Sequence, residues 1–396
     1  MAEPKLRFKR EDGTVYPELR NATMGDFYTE RNERGGEGLP VLSVSIHSGV
    51  SDGELDEDEL GKRVKRSADL SLYKKAMSGD LVLNMMRAWQ GAVGCVKTTG
   101  MVSPAYIVAE PNGEIDPTYM DYYVQTKGII DRFNRLSYGA LDFRKRLYWD
   151  SFVTTEVNIP VLEEQKRIAG VLEEIDAVIA AGEDEVANLE RQKKAAMQKI
   201  FSQEVRFKRE DGNEFPDWES HCFCELALLG KDKYTPKSGD HFKCIELEHL
   251  DQSTGTINGY VDSDAQSSTK NKFYKGDILF GKLRPYLRKY HRASFDGVCS
   301  TEIWVFKPTR LVSSLFLLYL VSSENFITLS NVTAGSKMPR ADWALVSQEE
   351  FDIPCPEEQR LIADFLSSFD DAIKAAKQEQ DYWKALKRGL LQQMFV

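Results

Sequence analysis

The chain carries one pattern twice, in the same order, and that duplication constrains its architecture more than any single motif. Arg7 to Pro17 read RFKREDGTVYP, and Arg206 to Pro216 read RFKREDGNEFP. GDLVLNMM from Gly79 is answered by GDILFGKL from Gly276, and IPVLEEQKRIAGVL from Ile159 by IPCPEEQRLIADFL from Ile353. The offsets are 199, 197 and 194 residues, so the segments keep their order with only small changes in length. A repeat of this period means two domain-sized units rather than a stack of short repeats. Two similar halves that differ in detail can address two similar targets, or two halves of one target.

The 396 residues suffice for two or three domains, each with its own core. With 42% hydrophobic and 29% charged residues the composition is that of an ordinary globular protein. The longest apolar stretch, near Leu315 to Val321, is far short of a membrane span. The opening MAEPKLRFKR has no apolar signal-peptide core. Six cysteines without a CxxC pair read as reduced thiols, which points to the cytoplasm. Cys222 and Cys224 lie beside His221, but no second ligand pair accompanies them, so buried thiols are the simpler reading.

Each half reads as a charged opening, a mixed region and a long helix, a mixed α/β (α+β) class overall. Strand-forming runs occupy Leu39 to Ile46, Asp80 to Met85, Val102 to Ala109, Asp277 to Phe280 and Thr301 to Phe306. Tyr119 to Thr126 and Leu315 to Ser323 read as helices in equivalent places. Pro160 and Pro354 stand just before the long helices, where proline is tolerated. Glu163-Glu164 and Glu357-Glu358 then put negative charge on the first turn, where the helix dipole favours it. A four-three spacing follows through Ile168, Leu172, Ile175, Ile179, Gly182, Val186, Leu189, Lys193, Ala196 and Ile200. Ile362, Leu366, Phe369, Ile373, Ala376, Gln380, Trp383, Lys387, Leu390 and Met394 repeat it at a constant offset. A seam kept over four heptads predicts a coiled coil. Two helices packed on separate domains are the plainer alternative. If the two helices pair, connectivity makes them antiparallel and returns the C-terminus towards the N-terminus. Such a spacer is about 50 Å long at 1.5 Å per residue.

An enzymatic reading has to find a site, and the obvious ones fail. Gly276 to Lys282 matches GxxxxGK, but Leu283 stands where a phosphate loop needs Ser or Thr, and Ile278, Leu279 and Phe280 are strand formers. Five scattered histidines assemble neither a triad nor a metal cluster. Nucleic-acid binding does better, although the net charge of −10 argues mildly against it. Charge is segregated: acidic residues crowd Glu54 to Glu59, and basic ones crowd Lys62 to Arg66, Arg144 to Arg146 and Lys282 to Arg292. After one strand come Lys282, Arg284, Tyr286 and Arg288, groups that can meet phosphates and reach base edges. The matching stretch of the first half offers Arg87, Trp89 and Gln90. A Gly turn with Arg five residues on is also shared: Tyr138-Gly139 leads to Arg144 and Lys145, and Gly335 to Lys337 and Arg340. For any one of these residues a solvated surface charge is an equal alternative; as duplicated clusters they favour DNA contact.

These residues also carry a resemblance. GDLVLNMMRAWQGAVG with VSPAYIV, KGDILFGKLRP, and above all the doubled Ile-Pro-x-x-Glu-Glu-Gln-(Lys/Arg)-x-Ile-Ala helix start resemble the specificity subunits of type I restriction–modification systems, over the whole length. The resemblance implies target recognition domains at 1–158 and 205–352, each reading one half of a split DNA sequence. It implies spacer helices at 159–204 and 353–396, packed through Ile168, Leu172, Ile175, Ile179, Leu189, Ile362, Leu366, Phe369, Ile373 and Trp383. Expected partners are double-stranded DNA, two modification subunits and restriction subunits, with no membrane. S-adenosylmethionine, ATP and magnesium are expected in those partners; no cofactor, metal or catalytic residue is expected here. A two-headed protein-binding adaptor and a nucleotide-binding enzyme using Gly276 to Lys282 remain as alternatives. The copies diverge between motifs, so the two half-sites are expected to differ.

Overall fold

The computed structural model describes residues 4–46, 49–53, 70–139, 144–237, 239–332 and 338–395. The chain divides into two compact units, Met1–Glu183 with Gln378–Val396 and Asp184–Lys377. The basic run Lys62 to Arg66, the acidic run before it, and Lys337 lie outside the described residues.

The core of the first unit is an antiparallel sheet ordered Tyr28–Glu30, Tyr106–Pro111, Leu81–Asn84, Val93–Cys95. Its strands are apolar on both faces because both faces are covered. Leu81, Leu83, Ile107 and Ala109 pack with helices Pro117–Val124 and Lys127–Leu136, while Val82 and Val108 pack against Leu42, Val44, Val50 and Val102. The second unit repeats this with Ala227–Leu229, Ile303–Pro308, Ile278–Gly281 and Tyr290–Arg292. There Phe280 and Phe306 face helices Ser314–Ser322 and Glu324–Ser330, and Leu279 and Val305 face a second cluster with Ile245 and Phe273. A five-stranded sheet follows, mixed in sense because Lys243–Ile245 and Gly297–Cys299 run parallel. The predicted strand Leu39 to Ile46 shrinks to Val44–Ser45, and a turn splits the one from Val102 into Gly100–Val102 and Tyr106–Pro111.

The long helices are Leu162–Phe201 and Pro356–Met394, here the central and C-terminal helices. Every predicted seam position is buried or half-buried, while most other positions in their middle thirds are exposed. In the first unit Lys387 pairs with Asp176 at 2.6 Å and Lys384 with Glu183 at 2.9 Å; as one number rises the other falls, so the strands of this pair are antiparallel. In the second unit Lys193 meets Asp370 at 2.5 Å and Lys377 meets Glu190 at 2.8 Å, in the same sense.

The duplicated motifs turn out to touch each other. Arg7 forks onto Glu164 at 3.1 and 2.5 Å, and Arg206 onto Glu358 at 3.3 and 2.8 Å. These carboxylates are 1% and 0% exposed. All four carboxylates lie in the first turn as the dipole reading has it; Glu163 and Glu357 are exposed, and Glu164 and Glu358 are in addition buried ion-pair partners. The next residue repeats the logic. Gln165 donates to the Glu114 and Pro160 carbonyls and accepts from the Asp116 amide. Gln359 does the same with Leu311, Pro354 and Ser313. Each helix start is thus bolted to its own globular part.

The far end of each helix fills a core too. Ile200 joins the core of the second unit and the Phe201 ring lies 5.8 Å from Phe316. Met394 and Phe395 occupy the corresponding place in the first unit, with Phe395 5.3 Å from Tyr119 and 5.7 Å from Tyr123. The Leu6 amide donates to the Gln393 carbonyl, so the two ends of the described chain meet.

Two outcomes follow for stability. Arg7→Ala leaves Glu164 buried without its cation and is expected to cost the first unit about 3 kcal/mol. Glu164→Gln leaves an arginine that can turn to water, and is expected to cost about 1 kcal/mol. Hydrogen exchange of the Pro117–Val124 amides distinguishes them; equal protection in both variants would contradict the pairing. Phe395→Ala is expected to cost about 3 kcal/mol by opening a cavity against Tyr119 and Tyr123. Faster exchange should then appear in the first unit's helices and not in Ser314–Ser322.

Candidate nucleic-acid interface

In the second unit, strand Ile278–Gly281 delivers the chain to the basic-aromatic segment. Its amides are spent on the sheet, with Ile303–Pro308 on one side and Tyr290–Arg292 on the other, so no phosphate-cradling nest forms at Gly276 to Lys282. Beyond the strand the backbone pairs with the segment predicted separately to contact DNA. Leu283 bridges Arg340, the Arg284 amide donates to Pro339, and the Ala341 amide donates to Lys282. The two sequence elements are therefore one surface. A 3-10 turn, Pro285–Leu287, stands out from it between Arg284 at φ 52° and Arg288 at φ 50°.

Side chains on this surface divide into tied and untied. Tyr286 is 52% exposed, and Arg284 is exposed. Among the described residues the side chains of Lys282, Arg284 and Tyr286 make no hydrogen bond or ion pair, so they are available to a ligand. Arg288 instead pairs with Glu324, and Arg340 with Glu302 at 2.9 Å, which holds its guanidinium charge more firmly. Lys289 donates to the Leu247 carbonyl at 2.6 Å and Arg292 to Ser314 at 2.8 Å. His291 is tied to the Gly255 carbonyl, and burial pushes its pKa down, which favours the neutral ring.

The first unit builds the same surface by different means. The Leu147 amide donates to Met85 as the Ala341 amide does to Lys282, and Tyr138 exchanges two backbone hydrogen bonds with Arg146. Gly139 is required there: a Cβ would stand 2.7 Å from the Arg144 carbonyl oxygen. The 3-10 turn Ala88–Gln90 is closed by Gly91 at φ 101°. Arg87, Gln90, Tyr138 and Arg144 are exposed and Lys145 half-buried. Lys145 lies 5.1 Å over the Trp89 ring, and the Trp89 indole donates to the Met86 carbonyl, so Trp89 is a platform under a cation. Tyr138 packs its ring 4.8 Å from Tyr148.

Sequence reasoning passed over one duplicated cluster. The Tyr122 hydroxyl donates to Asp176 at 2.7 Å, and Lys387 binds the same carboxylate from above the Tyr122 ring. Tyr319, Asp370 and Lys193 repeat it in the second unit. Burial and the adjacent carboxylate push both phenols well up, so they stay protonated donors. The signal was present: a lysine interrupts each apolar seam at the same position. Beside this cluster the first unit holds a cleft of about 1330 Å³, lined by Lys97, Lys127, Arg388 and Asp121 among others; burial raises the Asp121 pKa. Among the described residues no group of acidic, histidine or cysteine side chains has the makings of a metal site. No described helix is long and apolar enough to cross a membrane.

A family profile described as "Type I restriction modification DNA specificity domain" matches residues 224–381. The MjaVIII type I restriction enzyme specificity subunit of Methanocaldococcus jannaschii is 24% identical, covering 82% of both chains. The putative MjaX specificity subunit of the same organism is 22% identical, covering 92% of this chain and 88% of that one. Among solved structures, the type I S subunit of M. genitalium superposes with a TM-score of 0.60 at 12% identity, covering 100% of this chain and 99% of that one, a likeness of fold. Over most of its length the chain is similar to type I restriction enzyme specificity subunits, and its residues 224–381 match the model of their DNA specificity domain.

Proposed function

We propose that this chain is the non-catalytic DNA-recognition subunit of a type I restriction–modification complex, working in the cytoplasm. Each globular part reads one half of a bipartite target. The paired helices set the spacing and dock two modification subunits, joined by restriction subunits. S-adenosylmethionine, ATP and magnesium belong to those partners, which perform methyl transfer and cleavage. The domain limits follow the chemistry: 1–158 and 205–352 for recognition, 159–204 and 353–396 for the spacer.

The observation that carries this reading is that, in each unit, two separate basic-aromatic elements are backbone-paired into one surface. On that surface Arg284 and Tyr286 in one unit, and Arg87 and Gln90 in the other, have no competing salt bridge. Arginine and glutamine can bind base edges in bidentate fashion, and tyrosine offers a ring and a hydroxyl. Arg144, Lys145, Lys282 and Arg340 flank these groups as phosphate partners. Lys337 would belong to the same set.

Methylome mapping of cells expressing the chain with its modification subunits should reveal one asymmetric bipartite motif. A contiguous motif, or unmethylated DNA despite an assembled complex, would overturn the proposal. Arg284→Ala and Tyr286→Ala should each lower discrimination at one half-site, on the order of ten-fold, and leave the complex intact in gel filtration. Arg87→Ala and Gln90→Ala should affect the other half-site. Lys282→Ala should weaken binding to all sequences alike and reduce the salt dependence by about one unit of slope. DNA binding that ignores salt would instead favour a protein-binding adaptor.

A further inference from the structure

The two reading turns, Ala88–Gln90 and Pro285–Leu287, both close in the left-handed backbone region, but with different chemistry. Gly91 closes the first at φ 101°, the conformation glycine adopts without strain. At the equivalent position the second unit has Arg288 at φ 50°, a conformation that L side chains rarely adopt. A second exchange goes with it. Lys127 opens helix Lys127–Leu136, and its ammonium pairs within that helix, with Asp131 at 2.5 Å. Glu324 stands in its place in the second unit, opening helix Glu324–Ser330. Glu324 accepts from Arg288 and lies 3.3 Å from Lys194 on the central helix.

Stability is a poor explanation for this bridge. The Arg288 and Glu324 side chains are 27% and 42% exposed, and ion pairs so exposed contribute little. Nor does the turn need the bridge to stay attached. The Arg288 carbonyl accepts from the Ser253 amide, and Lys289 is held by the Leu247 carbonyl. A glycine at 288 would fit the backbone better and would lose the link to Glu324 together with the packing of the half-buried arginine stem. A non-glycine residue in this region raises the question of what its side chain holds, and for Arg288 that is Glu324.

We infer that Glu324 and Arg288 are positioning residues: through Lys194 they tie the turn Arg284–Arg288 to the central helix, and so fix the pose in which Arg284 and Tyr286 meet DNA. Arg288 is then not itself a base contact, contrary to the expectation from sequence. The inference rests on the DNA-recognition reading above. It assigns a turn tied by an ion pair to the second unit and a glycine-closed turn without that ion pair to the first, so the two half-sites are read by turns held in different ways.

The test uses the complex of the full chain with its modification subunits. Methylation of the native target is compared with that of targets carrying single base changes in either half-site, for Arg288→Gly, Arg288→Lys, Glu324→Gln and Lys194→Met. Arg288→Gly and Glu324→Gln should each lose roughly ten-fold of discrimination at the half-site read by the second unit and none at the other. Lys194→Met should fall between these and the parent, and Arg288→Lys, which keeps a cation, should stay near the parent. Because glycine suits the backbone at 288, Arg288→Gly should match the parent in thermal melting and assembly. Undiminished discrimination in both Arg288→Gly and Glu324→Gln overturns the inference and leaves the recognition reading standing. An equal loss at both half-sites also overturns it, since that marks a general structural role. A parent complex without any bipartite preference overturns the recognition reading itself.

Discussion

A carboxylate taken out of water has to be met by a cation, and this structure meets that demand twice at the same place. Glu164 and Glu358 enter the protein at the first turn of each long helix and are gripped by the forks of Arg7 and Arg206. Each arginine comes from a short charged hairpin whose other anchors include Phe8 and Phe207, packed against the two cores. Its guanidinium also donates to the carbonyl of Pro17 or Pro216, so the hairpin, the ion pair and the helix start form one joint. The adjacent glutamines use both ends of their amides on backbone groups of the globular part. Helix direction is thereby set at the root, and the strand before each helix is fixed by antiparallel pairing, Arg20–Thr23 with Glu156–Ile159 and Glu219–Cys222 with Glu350–Ile353.

From that root the seam follows. The first unit takes its core from residues near the N-terminus and closes it with Met394 and Phe395; the second closes with Ile200 and Phe201. Each compact unit therefore needs both helices, one for its start and one for its end. Seam lysines show how the polar parts are settled. Lys387 and Lys193 would be costly in an apolar seam, but each finds an aspartate and a tyrosine ring, and each tyrosine comes from the globular part. In each unit the helices are thus joined to each other and to the globular part by the same three side chains.

Much of this was legible in the chain and some was not, for identifiable reasons. The seam from Ile168 to Ile200 and its copy could be read because burial on a two-helix surface follows spacing alone. Strand Leu81–Asn84 and its partner could be read as short apolar runs, whereas Leu39 to Ile46 is equally apolar and yields only two strand residues. The ion pairs of Glu164 and Glu358 are not legible in the sequence, because a first-turn position looks the same for a solvated carboxylate and a buried one. At the candidate site the basic clusters were visible, but local sequence does not separate a cation that is spent from one that is available. Arg284 and Arg288 lie four residues apart in the same motif, and one faces solvent while the other pairs with Glu324, 36 residues on. Such partners are set by tertiary structure.

The divergence between copies can then be divided in two. Where the copies agree, as at Arg7 and Arg206 or Gln165 and Gln359, the residues close hydrogen bonds that the helix root cannot do without. Where they disagree, the backbone is often still the same: Gly91 and Arg288 both close a 3-10 turn in the left-handed region. A glycine attains that shape by having no side chain to strain, whereas Arg288 holds it with its side chain paired to Glu324. The exchange of Lys127 for Glu324 provides that partner. Divergence at this surface therefore changes what holds the turn as well as which side chains it shows.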